Sequence, residues 1–243
     1  MKRSRPLSKV YKVINPEFLF ILDRLSEIID SMPDTKDNFT LLGKYHQEWT
    51  VYRDQLMYLP GPFRPLEEEF LNRSDLEPTE FSIVQILLLE WYTILQRHQK
   101  PLCEAALELI KQEREGQINQ HQQYVVSLKD SFSELSEGKC SLFFPFSKFS
   151  ALDDDIYGQI WVKQYINETE QFYKQRADGV LLESNDTQSY MRFACRALEE
   201  EEKRCEKYLL AQSRSVLMKI LTQVLVVNNA ELIRSVEVIS QSL

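Results

Sequence analysis

Glycine is scarce in this chain. Six among 243 residues are too few for the tight turns of a sheet-rich fold or for the glycine-rich loops that cradle phosphates. Long apolar runs are missing too: no stretch is long enough to span a bilayer, and the amino terminus lacks a signal-peptide apolar core. Cys103, Cys140, Cys195 and Cys205 have neither CxxC spacing nor a nearby histidine pattern. That excludes a zinc framework and reads as reduced intracellular thiols. Positive charge is in deficit, and a formal net charge of −8 argues against a sequence-independent grip on nucleic acid. The expected compartment is the cytoplasm, the nucleus or both.

What is present is helix periodicity, almost from end to end. Residues 1–14 form a basic, weakly patterned tail whose Lys2, Arg3, Arg5, Lys9 and Lys12 are solvated or meet something acidic. Asn15-Pro16-Glu17 then supplies a cap, a first-turn proline and an acid at the positive end of a helix. Phe18, Ile21, Leu22, Leu25, Ile28 and Ile29 give it one apolar face. Phe39, Leu42, His46, Trp49, Tyr52 and Leu56 make a second stripe, closed by Leu59-Pro60-Gly61-Pro62. A short helix is expected from Pro65 to Phe70 or Leu71. The most apolar helix carries Phe81, Val84, Leu87, Leu88, Trp91, Ile94 and Leu95. Pro101 is expected to start another, with Leu102, Ala105, Ala106, Leu109 and Ile110, ending at Gly116 as a C-cap. Ile118, Tyr124, Val125, Leu128, Phe132 and Leu135 follow.

Residues 139–155 break the pattern with Phe143, Phe144, Phe146 and Phe149 around Pro145, then Asp153-Asp154-Asp155. The simpler reading is a connection whose aromatics plug a gap between helices. The alternative is an exposed partner-binding loop, because exposed apolar clusters usually mark interfaces. Val162, Tyr165, Ile166, Phe172 and Tyr173 next form the stripe of a long helix, and Ser184 to Thr187 give turn and cap chemistry. Tyr190, Phe193, Ala194, Ala197, Leu198, Cys205, Tyr208 and Leu209 make the facing stripe, with Glu199 to Glu202 expected mostly outward. Ser213 caps a further helix with Leu217, Ile220, Leu221, Val224 and Leu225, and an amphipathic segment runs to the end. The fold class is all-α: about ten helices in an elongated stack of hairpins.

The chain carries no recognisable catalytic pattern. His46, His98 and His121 are far apart, and His46 sits on an apolar face, where a hydrogen-bonded core residue is commoner than a ligand. No hydrolase, metalloprotease, Walker or dinucleotide motif occurs. The Asp153 run resembles the aspartate-rich metal motif of all-α terpenoid synthases, but Tyr157 stands where a further acid is required. Glu199 to Glu202 contain carboxylates three apart that suit a hard cation, although a solvated helix face explains them more simply. Trp49, Trp91 and Trp161 read as core anchors, since no basic residues interleave with them to make a stacking platform. No catalytic residue, cofactor or metal is expected.

The wording of several helices is nevertheless familiar. Glu168-Thr169-Glu170-Gln171-Phe172-Tyr173, Tyr190-Met191, Ala197-Leu198-Glu199-Glu200-Glu201 and Tyr208-Leu209 keep, in register, the order of segments in the N-terminal arm of cullins. Gln47-Glu48-Trp49 with Tyr52 resembles that family's Q-x-W-x-x-Y segment. Leu109-Ile110-Lys111-Gln112-Glu113-Arg114-Glu115-Gly116 resembles its L-I-x-x-E-R-x-G segment. The matches cover residues 40–225.

The resemblance implies a curved arm of five-helix repeats that holds substrate-receptor adaptors at one tip of a ubiquitin ligase. The expected organisation is a first, N-terminally shortened repeat over 15–138, the aromatic connection over 139–155 and an incomplete second repeat over 156–243. Function is expected to be non-catalytic scaffolding of protein partners, with no nucleic acid and no membrane. Candidate partner-binding residues are Tyr52, Leu56, Tyr58, Phe63, Leu66 and Phe70, with Phe144 and Phe146 from the connection. Two departures stand out. The chain before Asn15 is too short and basic for the family's first two helices, and Pro60, Pro62 and Pro65 interrupt the later adaptor-docking helix. The sequence also stops before the family's C-terminal half, so no RING-protein binding is expected from this chain alone. The rival class is a helical tether or adaptor unrelated to ubiquitin.

Overall fold

The computed structural model describes residues 38–58, 61, 65, 83–118, 120–137, 155–183 and 187–230. The expected helices at Asn15 and at the carboxyl end, the short helix apart from Pro65 and the aromatic connection apart from Asp155 lie outside the described residues. Six α-helices and no strand occur among the described residues: α1 (Asn38–Tyr58), α2 (Ile83–Arg114), α3 (Gln122–Glu137), α4 (Lys163–Glu183), α5 (Thr187–Tyr208) and α6 (Ala211–Thr222). Two π-helical segments, Tyr157–Val162 and Gln223–Val227, adjoin them. The chain divides into two compact units, Met1–Tyr157 and Gly158–Leu243.

In the first unit α1 packs against both α2 and α3. Leu42, Tyr45, Trp49, Tyr52 and Leu56 recur at helix spacing and are all buried, so one face of α1 becomes the core. Trp91 of α2 is the hub. Its ring lies 5.2 Å from Trp49, 5.8 Å from Tyr45 and 4.8 Å from Tyr52, stacked on the last. A chain of donors then ties the three helices together. Trp91 Nε1 donates to the Tyr45 hydroxyl at 3.3 Å, Tyr45 lies 2.6 Å from Ser131 Oγ, and Ser131 donates to the Leu128 carbonyl at 2.8 Å. Each buried polar atom in that chain is thereby satisfied, which burial requires. Gly43 allows α3 its close approach, since a Cβ there would stand 3.3 Å from the Tyr124 ring.

The structure corrects several expectations. Pro101 does not start a helix; it lies inside α2. The apolar phase explains this: Leu88, Trp91, Leu95, Leu102, Ala106 and Leu109 are all buried on one uninterrupted stripe. That burial outweighs the lost backbone bond and ring clash of about 3 kcal/mol. Ile118 is 91% exposed, because it falls in the turn before α3. Phe39 sits at the rim rather than in the core, where its ring edge meets His121 at 5.5 Å. Gly116 does end α2, at φ +86°. Gln117 N–H donates to Gln112 O at 3.0 Å and Gly116 N–H to Glu113 O at 3.1 Å, the paired bonds of a Schellman motif.

In the second unit α4 and α5 run antiparallel. Trp161, in the π-helical segment that leads into α4, donates to the carbonyl of Tyr208 at the end of α5, and Asp178 lies near Tyr190 at the other end. Ser213 is a buried residue inside α6, not its cap. Leu210 holds the cap position with extended backbone and no side-chain bond, and the Ser213 and Arg214 amides both donate to its carbonyl. The apolar start of α6 thus extends one turn further back than the serine suggested.

Candidate functional site

The first candidate face lies on α1. The period that buries Trp49 leaves Thr40, Gln47, Val51, Asp54 and Tyr58 on the exposed side. Val51 is 45% exposed, and Tyr58, the last residue of the helix, is 79% exposed. Two of the sequence-predicted partner residues belong elsewhere. Tyr52 is buried and donates to the Leu87 carbonyl at 2.7 Å, and Leu56 is fully buried. Both therefore hold α1 against α2, because their spacing from Trp49 puts them on its buried side. Phe63, Leu66, Phe70, Phe144 and Phe146 lie outside the described residues.

His46 behaves as a hydrogen-bonded packing residue. Its Nδ1 is 2.7 Å from Ser127 Oγ, and its ring lies 5.1 Å from Tyr124. Burial lowers its pKa below the ordinary 6.5, favouring the neutral ring. Across the same interface Arg53 pairs with Glu134 at 3.0 Å. Burial nevertheless raises the Glu134 pKa, against the pull of Arg53 and with a smaller push from Asp130. Cys103 is buried, and its thiol is pushed up to about 12, so it is held protonated. Among the described residues no three His, Cys, Asp or Glu side chains group as a metal site.

The second unit holds a cluster that sequence reasoning missed. Glu201 is fully buried, while Glu199, Glu200 and Glu202 are exposed. The expectation of an outward glutamate run is corrected at that one position. Its Oε1 accepts from Tyr165 at 2.9 Å, and its Oε2 accepts from Tyr173 at 3.1 Å and from Arg204 at 3.0 Å. Arg204 also reaches Glu200 at 3.4 Å. The available signal was register. Glu201 stands four after Ala197 and four before Cys205, both buried, so it shares their face. Around the second π-helical segment, Tyr190 donates to the Leu225 carbonyl, and Asn229 donates to the Tyr190 hydroxyl and the Val224 carbonyl, at 2.8, 2.8 and 2.9 Å.

Both units thus offer packed helices whose buried Tyr45, Tyr52, Tyr165, Tyr173 and Tyr190 are hydrogen-bonded. The family model described as the Cullin alpha solenoid domain matches residues 9–243. The chain belongs to the cullin family. Cullin-5 of Caenorhabditis elegans is 32% identical over 176 residues, covering 71% of this chain and 21% of that protein. Cullin-1 of Dictyostelium discoideum is 25% identical over 219 residues, 88% of this chain and 27% of its own length. Cullin-1 of Caenorhabditis elegans is 24% identical over 201 residues, 80% and 25% respectively. The chain therefore spans between 21% and 27% of the length of these relatives.

Part of the described surface of this cullin arm is apolar. Its exposed large apolar residues include Val51, Tyr58 and Ile118 in the first unit and Met191, Val216, Val226 and Val227 in the second. No described helix is long and apolar enough to cross a membrane.

Proposed function

We propose that this chain is a non-catalytic scaffold arm of a cullin-type ubiquitin ligase, binding adaptor or other ubiquitin-pathway proteins on helical surfaces in the cytoplasm or nucleus. The observation that carries the reading is the family match over residues 9–243, which includes both units. The exposed end of α1, with Val51 and Tyr58, leads in sequence toward Phe63, Leu66 and Phe70, and these form one proposed partner face. Phe144 and Phe146 form a second. With Pro60, Pro62 and Pro65 in this stretch, adaptor docking would depart in detail from docking on an unbroken helix.

The test is a reconstituted ubiquitination assay with a full-length cullin, its adaptor, a RING protein and rising amounts of this 243-residue chain. An arm that binds the adaptor without recruiting the RING protein inhibits competitively, and excess adaptor reverses the inhibition. Ubiquitin chains formed with this polypeptide as the sole cullin would overturn the absence of RING-protein binding. No effect at any concentration, together with vesicle or cytoskeletal partners on purification from cells, favours a tether unrelated to ubiquitin.

A further inference from the structure

We propose that the buried cluster of Glu201, Arg204, Tyr165 and Tyr173 is a register lock, which selects one axial alignment of α4 and α5. Packing alone selects it poorly. The buried positions of α4 and of the π-helical segment before it, Trp161, Tyr165, Thr169, Tyr173 and Ala177, recur every four residues. A slip of four residues, about 6 Å of helix rise, lays that stripe back upon itself. The facing stripe of α5, Tyr190, Ala194, Ala197, Glu201, Cys205 and Tyr208, has nearly the same repeat, so an apolar seam accepts several alignments.

The cluster does not. Tyr165 and Tyr173 are eight residues apart, about 12 Å along α4, yet both donate to one carboxylate, at its two different oxygens. The hydroxyls converge on Glu201 from opposite axial directions, so sliding α5 either way breaks one of the bonds. Arg204 closes the arrangement, donating to Glu201 Oε2 and lying 3.3 Å from the Tyr173 hydroxyl. With Glu201 fully buried and the Arg204 side chain 8% exposed, sliding α5 carries the pair together away from the Tyr165 and Tyr173 hydroxyls and leaves the buried carboxylate short of its partners. Buried ionic groups often add little net stability compared with apolar replacements, and fixing register is their best-attested use. A scaffold gains from a fixed alignment, but the lock itself does not depend on which partner binds.

The experiment uses the full chain, whose three tryptophans give three indole N–H resonances. Trp161 is the reporter, because its indole donates to the Tyr208 carbonyl at 2.9 Å only in the observed alignment. The combined variant Tyr165→Phe, Tyr173→Phe, Glu201→Met and Arg204→Met keeps side-chain volume and removes every charge. It is expected to melt at or above the parent temperature while its Trp161 resonance divides into two or more. Tyr173→Phe alone opens the bracket on one side and is expected to show a weaker second Trp161 resonance. A single Trp161 resonance at the parent position in both variants overturns the lock. A combined variant that no longer folds also overturns it, because the cluster would then supply stability rather than alignment.

Discussion

Trp49 shows what a single side chain contributes here. It is 2% exposed, against the ring of Trp91 at 5.2 Å. Trp49→Ala removes that burial and leaves a cavity that the neighbouring rings cannot fill. The expected cost is about 3–5 kcal/mol, read as a lower denaturant midpoint for the first unit; a variant that unfolds like the parent would show the packing to be unimportant. His46 adds a pH dependence of definite sign. Its folded pKa lies below 6.5 because burial disfavours the charged ring, so the unfolded chain binds the proton first. The corresponding stability is present above pH 6.5 and is lost as pH falls through the lowered folded value. His46→Gln removes this term. The stability difference between parent and variant should therefore shrink as pH falls from about 7.5 to about 5.5, and a difference that stays constant would contradict the assignment.

At the scale of elements, α2 was the least legible helix. Pro101 and the preceding polar stretch read locally as a boundary, since proline normally opens a helix. The continuous stripe of Leu95, Leu102, Ala105, Ala106 and Leu109 outweighs that signal, because most helical stability comes from packing an apolar face. Pro101 is exposed, so its replacement disturbs no core contact. Pro101→Ala restores a backbone donor and relieves the ring clash, at the cost of a less restricted unfolded chain. The net expectation is a gain of about 2 kcal/mol, measured as a raised denaturant midpoint. A variant no more stable than the parent would mean that the helix bends at this proline to reach its packing. Gly116 was legible for the opposite reason: a left-handed C-cap is a local requirement that few residues other than glycine meet.

For the molecule as a whole, the division between core and surface on α1 separates residues that hold the fold from those of the proposed partner face. Tyr52 and Tyr58 are six residues apart, yet one stacks on Trp91 and the other is 79% exposed. Tyr58→Ala should weaken adaptor binding at least several-fold while leaving the melting temperature within about a degree, since exposed substitutions change stability little. Tyr52→Ala should lower the melting temperature sharply, losing its ring contact and stranding no carbonyl, because Leu87 keeps its helix. Pull-down by each adaptor family in turn, alongside a thermal melt, separates the two. Adaptor binding unaffected by Tyr58→Ala would remove this end of α1 from the proposed face.

By itself the sequence determined the all-helical class, the family and most of the core. Those depend on period, on caps such as Gly116 and on phrases like Glu168 to Tyr173, all of which are local or nearly so. Only the tertiary structure decided that Glu201 is buried while its neighbours are solvated, that α2 continues through Pro101, and that Tyr58 stands on the surface. The physical reason is common to the three. A carboxylate, a proline or a tyrosine is tolerated inside or outside a helix according to what faces it. For Glu201 that means two hydroxyls and a guanidinium from positions 165, 173 and 204, and two of the three stand on a helix folded back from far along the chain.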